Sequence, residues 1–317
     1  MKMLNRTMLV AATLGCAMVL LTLPSAAEAA EDSGPARLPY YVAMDPPIVY
    51  PGAIVRLQVR PPAGANDGSV LVAGRRYLGK IEEDGLFVAY FAVDIDTLPG
   101  PYELSWDVGS RHGSRVVTVR ARRMDDAGRG EKALTRADLA AETLVASNPR
   151  LVSLWNRITL ERYWNGAFRA PSSATMVATF AMRQTSETSL GSPHTGVDLA
   201  TGSGSEVETA GVGVVALVAD APGGRIVAID HGYGLYTYYS GLGEVFVEER
   251  MFVQRGTILA HMPVGSSNPL HFGARLSGAQ VDPVSLPGIV LRVPAIRGGT
   301  GPRAPKEEKD RLSDYDY

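Results

Sequence analysis

The chain has 317 residues and a single cysteine, Cys16, which excludes a disulfide framework and any multi-thiolate metal site. Its formal charge of −2, from 31 basic and 33 acidic residues, gives none of the cationic surplus that nucleic-acid binding requires, so no nucleic-acid partner is expected. With 45% hydrophobic and 20% charged residues the composition is that of a well-buried globular protein, and the length suits two domains.

At the N-terminus, Lys2 and Arg6 precede an almost wholly apolar run over residues 7–23, and Ala27-Glu28-Ala29 follows as a small-residue cleavage signal. This order predicts a secretory signal peptide over residues 1–29. The apolar run is short for a spanning helix, so no stable membrane span is expected after cleavage. The mature chain would carry no cysteine and a charge of −3, because Lys2, Arg6 and Glu28 leave with the peptide.

Residues 38–122 consist of short alternating or apolar runs bounded by turn residues. Ile54–Val59 follows Pro51-Gly52, Ser69–Ala73 precedes Gly74, and Leu86–Val93 follows Asp84-Gly85. Tyr102–Val108 follows Pro99-Gly100-Pro101, and Arg115–Val119 follows Gly113. Strands at this spacing predict an immunoglobulin-like β-sandwich. No cluster in it carries chemistry, and His112 between Gly109 and Gly113 is expected at a hairpin tip.

Residues 124–165 read as a helical linker. Asp125–Gly130 has the composition of a hinge, Thr135-Arg136-Ala137-Asp138 opens a helix that runs on into Leu139, Leu144 and Val145, and a second helical run, Leu151–Tyr163, follows Asn148-Pro149. Trp155, Leu160 and Trp164 are expected in its core contacts. Beyond it, residues 166–293 are rich in glycine turns. Strands are predicted at Gly211–Val218, Arg225–Asp230, Tyr236–Tyr239, Glu244–Val247 and Thr257–Ala260, which makes an antiparallel β domain. Residues 296–317, with Pro302, Pro305 and the charge run Lys306–Asp310, are expected to be a disordered tail.

Two segments of the β domain carry chemistry: His194-Thr195-Gly196-Val197-Asp198 and Leu270-His271-Phe272. Two imidazoles and one carboxylate are a donor set that suits Zn2+ and leaves its fourth position open. Gly196 and the β-branched Val197 argue against a helix between His194 and Asp198. In a flat strand those two side chains would share a face but stand roughly 13 Å apart, so a common ion requires a turn between them.

The segments recur in a longer order: His194–Ala200, Gly204–Val207, Gly213–Val215, Ile229–Tyr239, Val253–Leu259, Leu270–Phe272 and Val281-Asp282-Pro283. That order resembles the LytM/lysostaphin-type zinc metallopeptidases, which hydrolyse peptide cross-links in bacterial peptidoglycan. The resemblance covers roughly residues 165–290, with Phe180–Arg183 similar to the strand that leads into the domain. It implies a groove on an antiparallel sheet, with Zn2+ held by His194, Asp198 and His271, open to an extended peptidoglycan stem peptide. The expected fold class is thus mostly β: an immunoglobulin-like sandwich, a short helical linker and a LytM-like antiparallel groove domain.

The departures matter as much. Where the family reads Tyr-Ala-His-Leu, this chain has Tyr239-Ser240-Gly241-Leu242, and where the family reads His-Leu-His it has Pro269-Leu270-His271. Both helper histidines of the family are therefore replaced, and the glutamate after Phe272 is replaced by Gly273. General acid–base help is worth ~10²–10⁴-fold and an oxyanion donor ~10²–10³-fold, so losing both costs about four orders of magnitude or more. The resemblance then implies a periplasmic or secreted, envelope-located protein that binds zinc and the cell wall, or regulates a cell-wall hydrolase, with impaired catalysis. The alternative is an active zinc endopeptidase with a substitute acid or base. His261 is the candidate substitute; Tyr233, Tyr236, Tyr238, Tyr239 and Ser240 are further candidate donors, and His231 is expected to be a scaffold residue.

Overall fold

The computed structural model describes residues 42–122, 148–186, 189–221 and 223–293. The expected signal peptide, the hinge, the helix opened by Thr135 and the C-terminal tail lie outside the described residues. No helix among the described residues is long and apolar enough to cross a membrane.

Alternation of apolar and polar residues builds seven strands in the N-terminal part: β1 (Val42–Asp45), β2 (Ile54–Val59), β3 (Asp67–Val72), β4 (Arg75–Ile81), β5 (Phe87–Ala92), β6 (Gly100–Val108) and β7 (Arg111–Val119). They follow one hydrogen-bonded path, β1-β2-β5-β4-β3-β6-β7, antiparallel at every step. A parallel bridge from Val49 to Val119 links the two ends of that path. Strand β4 escaped the sequence because Arg75, Arg76 and Lys80 mask its pattern, although Tyr77 within it is fully buried.

The linker helix α1 (Pro149–Trp155) begins as its start signals require, with the Asn148 side chain accepting from Arg150 N and proline in the first turn. It stops well short of Tyr163. The carbonyl of Thr159 instead accepts from Tyr233 N (2.7 Å), and Tyr163 N donates to the carbonyl of His231 (3.0 Å). Tertiary backbone bonds to a neighbouring hairpin thus outbid the weak local preference for helix.

The C-terminal part contains β8 (Met176–Ala178), β9 (Arg183–Ser186), β10 (Ser189–Pro193), β11 (Gly196–Leu199), β12 (Glu206–Glu208), β13 (Gly213–Ala221), β14 (Gly224–Gly232), β15 (Leu235–Leu242), β16 (Phe252–Val253), β17 (Ile258–His261), β18 (Leu270–Leu276) and β19 (Ala279–Val281). The main antiparallel sheet runs β16-β13-β14-β15-β18-β11-β8 with β19 on β18, while β9–β10 and β12–β17 form separate pairs. Two expected strands differ. Glu244–Val247 makes only an isolated bridge, Val245 to Ala260, and Phe180-Ala181 is a turn with Ala181 at φ 64°.

The two faces of the main sheet have different work. Val197, Leu199, Leu270, Phe272 and Tyr239 face a core that is continuous with that of the N-terminal strands. On the opposite face α1 covers one half, with Leu151, Leu154 and Trp155 packed on Leu217, Ile226, Ala228, Tyr236 and Tyr238. The half of that face that α1 does not cover carries Asp198, His271 and Ser240.

Candidate metal centre

Register places the candidate ligands. Asp198 on β11 is directly opposite His271 on β18, and Ser240 on β15 is opposite His271 from the other side, so all three point from one face. His194 precedes β11, off the end of that row, and is brought back by the turn at residues 179–182. Ala181 N donates to the His194 carbonyl and His194 N to the Met182 carbonyl, both at 2.9 Å. The chain bends between His194 and Asp198 as a shared ion demands.

The result is a triangle of ligand atoms. His194 Nε2 lies 3.2 Å from Asp198 Oδ1 and 3.2 Å from His271 Nδ1, and the last two are 3.1 Å apart. A tetrahedral ion with bonds of ~2.0–2.1 Å spaces its ligand atoms ~3.3 Å apart, so the set fits zinc. His194 and Asp198 are buried, while the His271 side chain is 13% exposed, leaving the approach to the cluster on its side.

Tautomer chemistry points the same way. His194 Nδ1 lies 2.9 Å from the carbonyl of Thr179, which can only accept, so Nδ1 carries the proton and Nε2 of the neutral ring offers a lone pair to the cluster. Lone pairs of imidazole and carboxylate then converge on one point, an arrangement that a cation stabilises. Burial would raise the Asp198 pKa, but the two imidazoles beside it win and hold it well below the usual carboxylate range. His271 Nε2 is buried with no hydrogen-bond partner.

Close approach explains the glycines around the site. A Cβ on Gly196 would stand 2.4 Å from the Phe272 carbonyl oxygen and 2.8 Å from His271 Nε2, so only glycine lets β11 lie under that ring. Tyr238 buttresses the other side. Its ring lies 5.6 Å from that of His271, and its hydroxyl donates to the Thr195 carbonyl (3.2 Å) and sits 3.0 Å from the Thr195 hydroxyl. The same ring meets Trp155 of α1 at 5.6 Å, so the helix walls the face beside the cluster.

The remaining candidates fall elsewhere. His231 is fully buried, with Nδ1 donating to the Val212 carbonyl (2.7 Å) and Nε2 accepting from Thr237 (2.8 Å); burial pushes its pKa down to about 4, and it is a scaffold residue. His261 ends β17 with its ring edge-on to Phe246, outside the three-ligand cluster. Tyr236 bonds the Arg157 carbonyl, Tyr239 accepts from Ala210 N, and Tyr233 turns the β14–β15 hairpin. Gly241 has φ +80°, and a Cβ there would meet only the carbonyl oxygen of Pro269, at 3.4 Å. Gly241 and Pro269 are therefore neighbours.

Residues 192–283 match peptidase family M23, a span that contains all three residues of the cluster. The chain carries an M23 domain. A structure from Pseudomonas aeruginosa assigned to peptidase M23 superposes with a TM-score of 0.54 at 20% identity, covering 75% of this chain and 94% of that one, which shows a shared fold beyond the M23 span. A zinc-containing peptidase from Vibrio cholerae (TM-score 0.31, 14% identity, 71% and 79% covered) and the catalytic domain of lysostaphin from Staphylococcus simulans (0.29, 18%, 33% and 81%) are also similar. No curated protein matches the chain.

Within the M23 domain, three contributors to the centre had no sequence signal: the Thr179 carbonyl, the turn at Ala181 and the Tyr238–Thr195 contact. A backbone acceptor carries no side-chain identity, and Tyr238 sits in a tyrosine run whose usual meaning is sheet packing.

Proposed function

We propose that this chain is a zinc-binding, M23 peptidase-like protein of the periplasm or extracellular envelope that engages peptidoglycan stem peptides but is impaired in cutting them, and so serves to bind the wall or to regulate a hydrolase. The observation that carries this is the pairing of an intact three-ligand triangle with Gly241 and Pro269 side by side where the family places imidazoles. Bound zinc would polarise a carbonyl and acidify its water. His194, Asp198 and His271 would hold it, with Thr179 fixing the tautomer of His194 and Tyr238 the bend at Thr195.

Neither glycine nor proline moves a proton or donates from a side chain to an oxyanion. His261, with its ring on Phe246, is not one of the three clustered residues. The test is mass analysis of cross-linked peptidoglycan after incubation with the zinc-loaded chain. Intact cross-links, together with retention of the chain on the sacculi, are the expected result. Robust, chelator-sensitive release of cleaved cross-links would overturn the impaired reading in favour of an active endopeptidase.

A further inference from the structure

A cleft of about 670 Å³ opens beyond the end of β11, walled by residues 169–174 and 200–202 with Ser205, Glu206 and Glu208. Ala200 on its wall is two residues from Asp198, hence roughly 7 Å along the strand from the metal centre. Its lining is polar, with no aromatic side chain. A sugar ring would find no flat face to stack on.

The charge is asymmetric. Arg169 is engaged by Glu208 at 2.8 Å, whereas Glu206 has no ion-pair partner among the described residues and is exposed to the cleft mouth. His261 is directly opposite Glu206 across β12 and β17, so the two side chains share a face. The hydroxyl of Thr201, a residue only 8% exposed on the same wall, is itself buried and makes no hydrogen bond, so it lies behind the lining and Glu206 is the acceptor left facing the cleft. A carboxylate is the acceptor an alkylammonium needs, since the ammonium has three donors and no acceptor.

We propose that this cleft binds the primary ammonium group of a peptide whose chain runs on to the metal centre, with Glu206 as its main counter-charge. The inference rests on the peptide-binding reading above. At ~3.3–3.6 Å per extended residue, two residues span the step from Asp198 to the cleft wall at Ala200, so a short peptide is the probe.

The test compares Ala-Ala-Ala with its N-acetylated counterpart by calorimetric titration into the zinc-loaded chain. The free amine is expected to bind at least about fivefold tighter, the size of one well-placed ion pair. Glu206→Gln should bring the two peptides within about twofold, and His271→Ala should weaken both alike while preserving their ratio. Equal affinities in the wild type, no binding of either, or a ratio unchanged in Glu206→Gln would overturn the proposal. So would binding of an N-acetylglucosamine oligomer that Glu206→Gln abolishes, which would make the cleft a glycan site. A preserved ratio with no effect of His271→Ala would instead leave the cleft standing and remove the metal centre from peptide binding.

Discussion

The ring of Tyr238 occupies the space that a side chain on Gly273 would take. A Cβ at that glycine would lie 2.0 Å from the ring's Cζ and 2.3 Å from its hydroxyl oxygen. The residue that follows Phe272 is small because its cross-strand partner is large.

Gly273→Ala should therefore displace Tyr238, with an overpacking cost of about 1–3 kcal/mol. Tyr238→Phe keeps the ring and removes the hydroxyl's bonds to Thr195, which are worth about 1 kcal/mol. Since support of metal ligands commonly changes affinity ~10–100-fold, both variants should lose zinc to a competing chelator sooner than the wild type. Unchanged zinc affinity in Tyr238→Phe would mean that the hydroxyl supports the fold alone.

The purified chain should bind about one zinc through a single three-ligand site, and His271→Ala should abolish it. Metal analysis of the two proteins decides. Equal, near-zero zinc in both would show that the triangle is not a metal site.

Gly241→His with Pro269→His should raise hydrolysis more than either change alone, because both imidazoles would act on one transition state. Gly241 at φ +80° makes the first change strained by about 1–2 kcal/mol, although the space beside it is open. Kinetics should accompany a thermal midpoint and a zinc assay. A folded, zinc-loaded double variant that cleaves no muropeptide would place the loss in the groove rather than in the missing histidines.

Stability should fall between pH 6.5 and 4. Burial depresses the His231 pKa from 6.5 to about 4, so in that window the unfolded chain binds a proton that the folded chain refuses. The contribution is fully present above the unfolded value, is lost as pH falls to about 4, and is of order 3 kcal/mol. The lowered Asp198 acts below the ordinary carboxylate value of 3.8, a separate and more acidic window. Denaturant midpoints at pH 7 and 4.5 should differ in the wild type and differ less in His231→Gln; equal differences would assign the acid loss to other groups.

That His194, Asp198 and His271 gather in one cluster, and where most strands lie, was legible in the sequence, because donor chemistry and two-residue alternation are properties of residue identity and spacing. The bend that brings His194 back towards Asp198 was demanded by the donor chemistry. What the sequence left open depends on partners far along the chain. Residues 156–163 could have continued α1, but backbone bonds from Thr159 and Tyr163 to the β14–β15 hairpin hold them elsewhere. Likewise Phe180-Ala181 could have been a strand, yet the turn there is what brings the Thr179 carbonyl to His194. The cleft beside β11 is assembled from segments about thirty residues apart in sequence. Residue identity determined the donor set. Long-range backbone pairing, which no local pattern encodes, decided how those donors are supported and what lies beside them.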